Sequence, residues 1–190
     1  MNLPNKLTIS RIILAPVFYI VFAIPEWTGE LQVLSAILMI ILFAAMEITD
    51  LLDGIIARKQ NLVTDIGKIL DPFGDVISRV TYFVCFASAG IMPVWMLLII
   101  LYRELGITFV RMYLIKNGYS MAASIWGKLT AVFYAVSGIT GIFFIAADRL
   151  DFLGSLYNPL LLVCRIIFII SVISAVLSFA AYMVQIRNRK

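Results

Sequence analysis

Apolar runs recur along this chain, interrupted only by short polar segments, and that pattern leaves few architectures open. Six runs can be drawn, at about residues 12–24, 31 to beyond 53, 66–88, 94–115, 121–147 and 156–182. A helix that crosses a bilayer needs about 20 mainly apolar residues, and backbone in hydrocarbon must satisfy its own hydrogen bonds. The 190-residue chain, 63% hydrophobic and 14% charged, therefore reads as a single all-α, polytopic membrane domain over residues 1–190, with six transmembrane helices.

Residues 2–11 read as a short interfacial helix before the first span, with Leu3, Leu7 and Ile9 apolar and Asn5, Lys6, Thr8 and Ser10 polar. Pro4 suits a first helical turn, and Pro16 is expected to kink the span it lies in. No small-x-small cleavage site follows residue 24, so the first run reads as a retained span. Residues 25–30 read as a loop. The second helix is expected to continue to Lys59, with a turn at 60–64 and Thr64 or Asp65 capping the next helix. Further turns are expected at 90–93, 116–120 and 148–151.

With six spans, Lys6, Arg11, Arg58, Lys59, Lys68, Lys116, Arg187, Arg189 and Lys190 share one side, and the opposite loops hold only Arg149 among basic residues. That bias places both termini and the 60–64 turn in the cytoplasm of a cell-membrane protein. The net charge of +4 reads as topology-setting flanks, not as a nucleic-acid surface. The two cysteines, Cys85 and Cys164, lack CxxC spacing and read as small core residues. The chain has no histidine, which excludes imidazole metal ligation and Ser-His-Asp or Cys-His catalysis.

Four aspartates stand out against this background: Asp50, Asp53, Asp71 and Asp75, all within 26 residues. An ionised carboxylate at membrane depth costs several kcal/mol unless compensated. Asp50 and Asp53 are three apart on one helix, Asp71 and Asp75 four apart on the next, and a short turn joins the two antiparallel, so the carboxylate faces can meet. Oxygen ligands of this kind select hard divalent cations, Mg²⁺, Mn²⁺ or Ca²⁺, and four negative charges match about two such ions. A pair of divalent ions can clamp a phosphoryl group and its leaving oxygen. Gly54, Ala57 and Gly67 keep the surface beside the acids low enough for a bulky ligand, and Arg58 can pair with a phosphate. Gly74 reads as a helix-packing residue.

The run Asp50-x2-Asp53-Gly54-x2-Ala57-Arg58-x8-Gly67-x3-Asp71-x3-Asp75 resembles the signature of the CDP-alcohol phosphotransferase family at every fixed position. The resemblance implies a six-helix membrane enzyme, commonly a homodimer, that transfers a substituted phosphate from a CDP-linked donor to an alcohol and releases CMP. It implies a site with Mg²⁺ or Mn²⁺ held by Asp50, Asp53 and Asp71. It makes Asp75 the general base, with a further contact to metal. Thr49, Gly54, Ala57, Arg58 and Gly67 then line the donor nucleotide and pyrophosphate.

The second half bears on the acceptor. Arg103, Arg111 and Lys128 lie deep in apolar segments and together make a cationic pocket for a phosphate-bearing alcohol. Interfacial snorkelling is the other reading for Arg111, and pairing with an acid on another helix is the other reading for Arg103. The Arg103-Glu104 pair, the Ala123-Ser124…Gly127-Lys128-x-Thr130 segment and the Asn2-Leu3-Pro4-Asn5-x-Leu7-Thr8-x-x-Arg11 opening resemble the phosphatidylglycerophosphate synthase branch of the family. This implies that CDP-diacylglycerol and sn-glycerol 3-phosphate react to give phosphatidylglycerophosphate and CMP. The branch usually carries Ala-Asp-Lys where this chain has Gly74-Asp75-Val76, and Arg79 lies one turn on. Inositol phosphate, serine, or a CDP-choline donor with diacylglycerol are the alternatives within the class. A divalent-cation transporter is the alternative outside it, although a cation path gains nothing from Arg58 beside its acids.

Overall fold

The structure, a computed structural model, describes residues 3–59, 65–116 and 125–187. Six long helices occupy almost all of them: α1 (Leu3–Thr28), α2 (Gln32–Lys59), α3 (Asp65–Ser88), α4 (Val94–Lys116), α5 (Ile125–Arg149) and α6 (Tyr157–Arg187). A 3-10 turn, Gly154–Leu156, leads into α6, and no strand occurs among the described residues. Four stretches, Pro4–Thr28, Gln32–Ile56, Ile125–Arg149 and Gly154–Val184, are long and apolar enough to cross a membrane. Helices α3 and α4 have 24 and 23 residues, long enough at about 1.5 Å per residue, but they carry the site's charges.

The helices form a ring in which α1 packs on α2 and α3, α2 on α5, α5 on α6, α6 on α4, and α4 on α3. Helix α3 also touches α5 across the ring. It supplies the middle of the core, where Tyr82, Phe83 and Phe86 are fully buried. Phe86 stacks on Phe168 of α6 with centroids 5.6 Å apart, Phe83 meets Tyr134 of α5 edge-on at 5.5 Å, and Tyr82 meets Phe43 of α2 at 5.6 Å. Each such pair contributes about 0.5–1.5 kcal/mol beyond its buried area. Outward faces are apolar, with Ile20, Ile41, Phe109, Val132, Phe143 and Val176 exposed, as hydrocarbon surroundings require.

Two expectations about the N-terminal region are corrected. No break separates an interfacial helix at residues 2–11 from the first span, because α1 is continuous. The polar side of its first turns faces protein: Asn5, Thr8 and Arg11 are all buried. Residues 25–28 are helical, not loop, despite Pro25. A proline in a helix leaves the carbonyl four residues earlier without its N–H. Here that carbonyl, of Val21, accepts a bond from Ser35 Oγ at 2.6 Å, which removes the reason for the helix to stop.

Arg149, expected in a polar loop, ends α5 and turns inward. Its guanidinium donates to Phe22 O at 2.7 Å and to Ser35 Oγ at 2.5 Å, and it lies over the Phe22 ring. The expected turn at 90–93 is present, with Gly90 at φ 73° permitting the reversal after α3. The 60–64 turn with Thr64, the side chain of Asp65, and residues 117–124 fall outside the described residues; Asp65 itself begins α3.

A Cβ on Gly141 would lie 2.4 Å from Phe86, whose ring is held by Phe168 and Phe83 and cannot retreat. Gly141→Ala gains at most about 1 kcal/mol of helix propensity, whereas overpacking costs about 1–3 kcal/mol. We therefore expect the melting temperature of the detergent-solubilised protein to fall by roughly 2–6 °C, measured by intrinsic fluorescence.

Candidate active site

The acids of α2 and α3 come together around a cation from α1. Arg11 Nη1 donates to Asp50 Oδ1 in a short bond and to Asp75 Oδ1 at 3.0 Å. The arginine is only 2% exposed, while Asp50 and Asp75 are 39% and 29% exposed. One turn earlier, Thr8 Oγ1 donates to Asp71 Oδ1 at 2.8 Å. Thr8 and Arg11, three apart on one helix face, therefore meet three of the four signature acids. Gly74 permits this approach: a Cβ there would lie 2.8 Å from Thr8 Cγ2. Its reading as a packing residue holds, and the packing positions the acids.

The expected convergence of two carboxylate faces is met by Asp50 and Asp75, which share one nitrogen. Asp71 is turned to α1 instead. The side chains of Asp53, Ala57 and Arg58 lie outside the described residues. Among the described residues, no three acids or cysteines come close enough to hold a metal ion. The donor chemistry nevertheless fits a hard divalent cation, because carboxylate oxygens from two helices already converge on one positive group.

A cavity of about 240 Å³ opens beside Asp75, between α3, α4, α5 and α6. All three residues expected to hold the acceptor phosphate, Arg103, Arg111 and Lys128, line it together with Asp75 and Arg79. Arg103 also bonds Glu104, its neighbour on the same helix, and donates from Nη2 to Ser178 Oγ of α6 at 2.9 Å, so its acid partner is not on another helix and it lines the cavity while paired. Pairing of this kind fixes the guanidinium's direction. A second cavity of about 250 Å³ is lined by Glu47, Asp50, Arg79 and Tyr82 with three residues of α5.

Of the expected donor contacts, Thr49 Oγ1 donates to the Ala45 carbonyl at 2.8 Å within its own helix. Gly67 is buried and Gly54 half-buried. None of the three lines either cavity.

The family comparison is decisive: residues 1–185 match the model of the CDP-alcohol phosphatidyltransferase family. The chain belongs to that family. It is an enzyme of the phosphatidyltransferase class. A CDP-diacylglycerol–glycerol-3-phosphate 3-phosphatidyltransferase of Treponema pallidum is 30% identical over 190 residues, covering 96% of this chain and 88% of the relative. One of Bacillus subtilis is 37% identical over 134 residues, covering 67% and 69%. One of Aquifex aeolicus is 32% identical over 175 residues, covering 90% and 92%.

Thr8, Arg11 and Glu47 were not singled out as site residues on sequence. The signal available for Arg11 was a charge inside an apolar run, one turn after a threonine. Glu47 lies one turn before Asp50 on α2.

Removing one partner of a fully buried ion pair costs about 3–5 kcal/mol, and partial exposure of both acids reduces this to about 1–3 kcal/mol. Arg11→Met should therefore lower the melting temperature of the metal-free protein by roughly 3–10 °C. Adding Asp50→Asn to that variant should recover part of the loss, as read from a double-mutant cycle.

Proposed function

We propose that this chain transfers the phosphatidyl group of CDP-diacylglycerol to sn-glycerol 3-phosphate, giving phosphatidylglycerophosphate and CMP. The observation that carries the reading is the placing of a carboxylate, Asp75, on the wall of a cavity that also holds Arg79, Arg103, Arg111 and Lys128. A small dianionic alcohol has its charge matched there, with a base beside its hydroxyl. Serine or choline would leave several cations without a ligand, which disfavours them. The relatives' names support the same donor and acceptor.

The acceptor phosphate sits against Arg103, Arg111 and Lys128, and its hydroxyl points to Asp75. The hydroxyl oxygen attacks the phosphorus of the phosphatidyl group. An O–P bond forms, the P–O bond to CMP breaks, CMP leaves with the electron pair, and Asp75 takes the hydroxyl proton. Asp50, Asp53, Asp71 and Asp75 would hold two divalent ions, Mg²⁺ or Mn²⁺, whose charge offsets that of the pyrophosphate and the leaving CMP. Thr49, Gly54, Ala57, Arg58 and Gly67, on the same two helices, complete the donor side.

The reading extends to placement. Helices α3 and α4 cross the membrane with the other four, their charges facing the interior of the ring. Both termini and the site lie on the cytoplasmic side, where lysines and arginines concentrate. The enzyme acts as a homodimer in the cell membrane, with lipid around its apolar faces.

Release of labelled CMP from CDP-diacylglycerol by purified protein is expected with glycerol 3-phosphate and not with inositol phosphate, serine or choline. EDTA should stop release, and Mg²⁺ or Mn²⁺ should restore it; turnover that persists in chelator would overturn the metal assignment. Two substitutions separate the base from the anchor. Asp75→Asn should lower kcat by about 100-fold or more. Lys128→Ala should chiefly raise the KM for glycerol 3-phosphate, and an unchanged KM would point to a neutral acceptor.

A further inference from the structure

Arg79 is the one basic residue among those described that lines both cavities. It stands one helical turn after Asp75, with its Nη2 3.8 Å from Asp75 Oδ2. The position directly after Asp75 is Val76, whose side chain is buried and apolar, so no neighbouring residue in the chain supplies a cation to this carboxylate from that site. The cavity on one side of Arg79 holds the cations Arg103, Arg111 and Lys128, together with Glu104. The cavity on the other side holds Glu47 and Asp50, with the Tyr82 ring as its wall. The side chain is 23% exposed and opens toward both.

In a group transfer the phosphorus must pass from the donor's space to the acceptor's, and it does so next to the base. Two cavities that share Arg79 and Ala131 in their walls, with Asp75 ion-paired to Arg79, give the place where this happens. We propose that Arg79 contacts the phosphoryl group under transfer, stabilising the charge on its oxygens as the acceptor O–P bond forms and the P–O bond to CMP breaks. The inference rests on the phosphatidyltransfer reading above. Glu47 lines the same cavity as Arg79, and its negative charge favours keeping the guanidinium there. Arginine suits this task because its planar fork reaches a carboxylate and a phosphate oxygen at once. A group that binds only in the transition state changes kcat, whereas a group that only anchors the acceptor changes KM.

The test uses the full-length enzyme in detergent–lipid micelles with CDP-diacylglycerol and glycerol 3-phosphate, both varied. Arg79→Gln is expected to fold, to lower kcat roughly 100-fold, and to leave each KM within about threefold of wild type. Arg79→Lys is expected to recover part of kcat, since the charge returns without the fork. Because Arg79→Gln removes a positive charge from the cavity that Glu47 lines, Glu47→Gln/Arg79→Gln is measured alongside, and it should fold and show the same kcat loss. Wild-type kcat in either Gln variant overturns the proposal. So does a loss confined to the KM for glycerol 3-phosphate, which makes Arg79 one more anchor. Failure of both Gln variants to fold also overturns it, because the role is then structural. A wild-type enzyme that releases no CMP with any acceptor instead refutes the phosphatidyltransfer reading itself, a result distinct from all of these.

Discussion

A buried guanidinium shared between two carboxylates sets the terms for the rest of this structure. Arg11 bonds Asp50 of α2 and Asp75 of α3 from a third helix. In a low-dielectric bundle, acids on facing helices repel one another and are costly to desolvate, so two helices bearing them do not pack face to face unaided. One cation between them turns that repulsion into a three-helix contact. Thr8 and Gly74 extend the same contact by a turn, with a hydroxyl for Asp71 and a missing side chain where α1 comes nearest. The arrangement determines the fold and, on the proposed reading, is a binding site as well. The oxygens that need Arg11 for packing are those a hard cation would use.

The charges elsewhere follow a similar division. Arg103 is fixed by Glu104 and Ser178, and it still borders the cavity that Asp75 lines. Arg149 is bound by a backbone carbonyl and a hydroxyl at the opposite end of the bundle. In each case a basic group in apolar surroundings has oxygen partners from another helix, the condition under which such residues persist in membranes.

How much of this was legible depended on the range of the interaction. Helix extents are a local property of apolar runs, and α2, α3 and α4 end within a residue or so of the limits read from the sequence. The acids' spacing announced a shared face, and the joining of Asp50 to Asp75 followed from the antiparallel turn. The partners were not legible, because Arg11 lies 39 and 64 positions from the acids it joins. A polar face on residues 5–11 looks the same whether it meets water or protein. Pro25 misled for a related reason: the hydroxyl that satisfies the Val21 carbonyl belongs to Ser35, on the next helix. Arg103, Arg111 and Lys128 were recoverable as a group since deep basic residues have few alternatives, and the cavity brings all three to one wall.

Arg149 has a mechanical consequence. By gripping Phe22 and Ser35 it clasps α5 to α1 and α2 far from the acids, and the aromatic side chains of α3 fill the space between. With Arg11 joining α1 to α2 at the other end, an arginine pins this helix pair at both extremes, and sliding one helix along the other would break a buried ion pair at one end and a bond to a backbone carbonyl at the other.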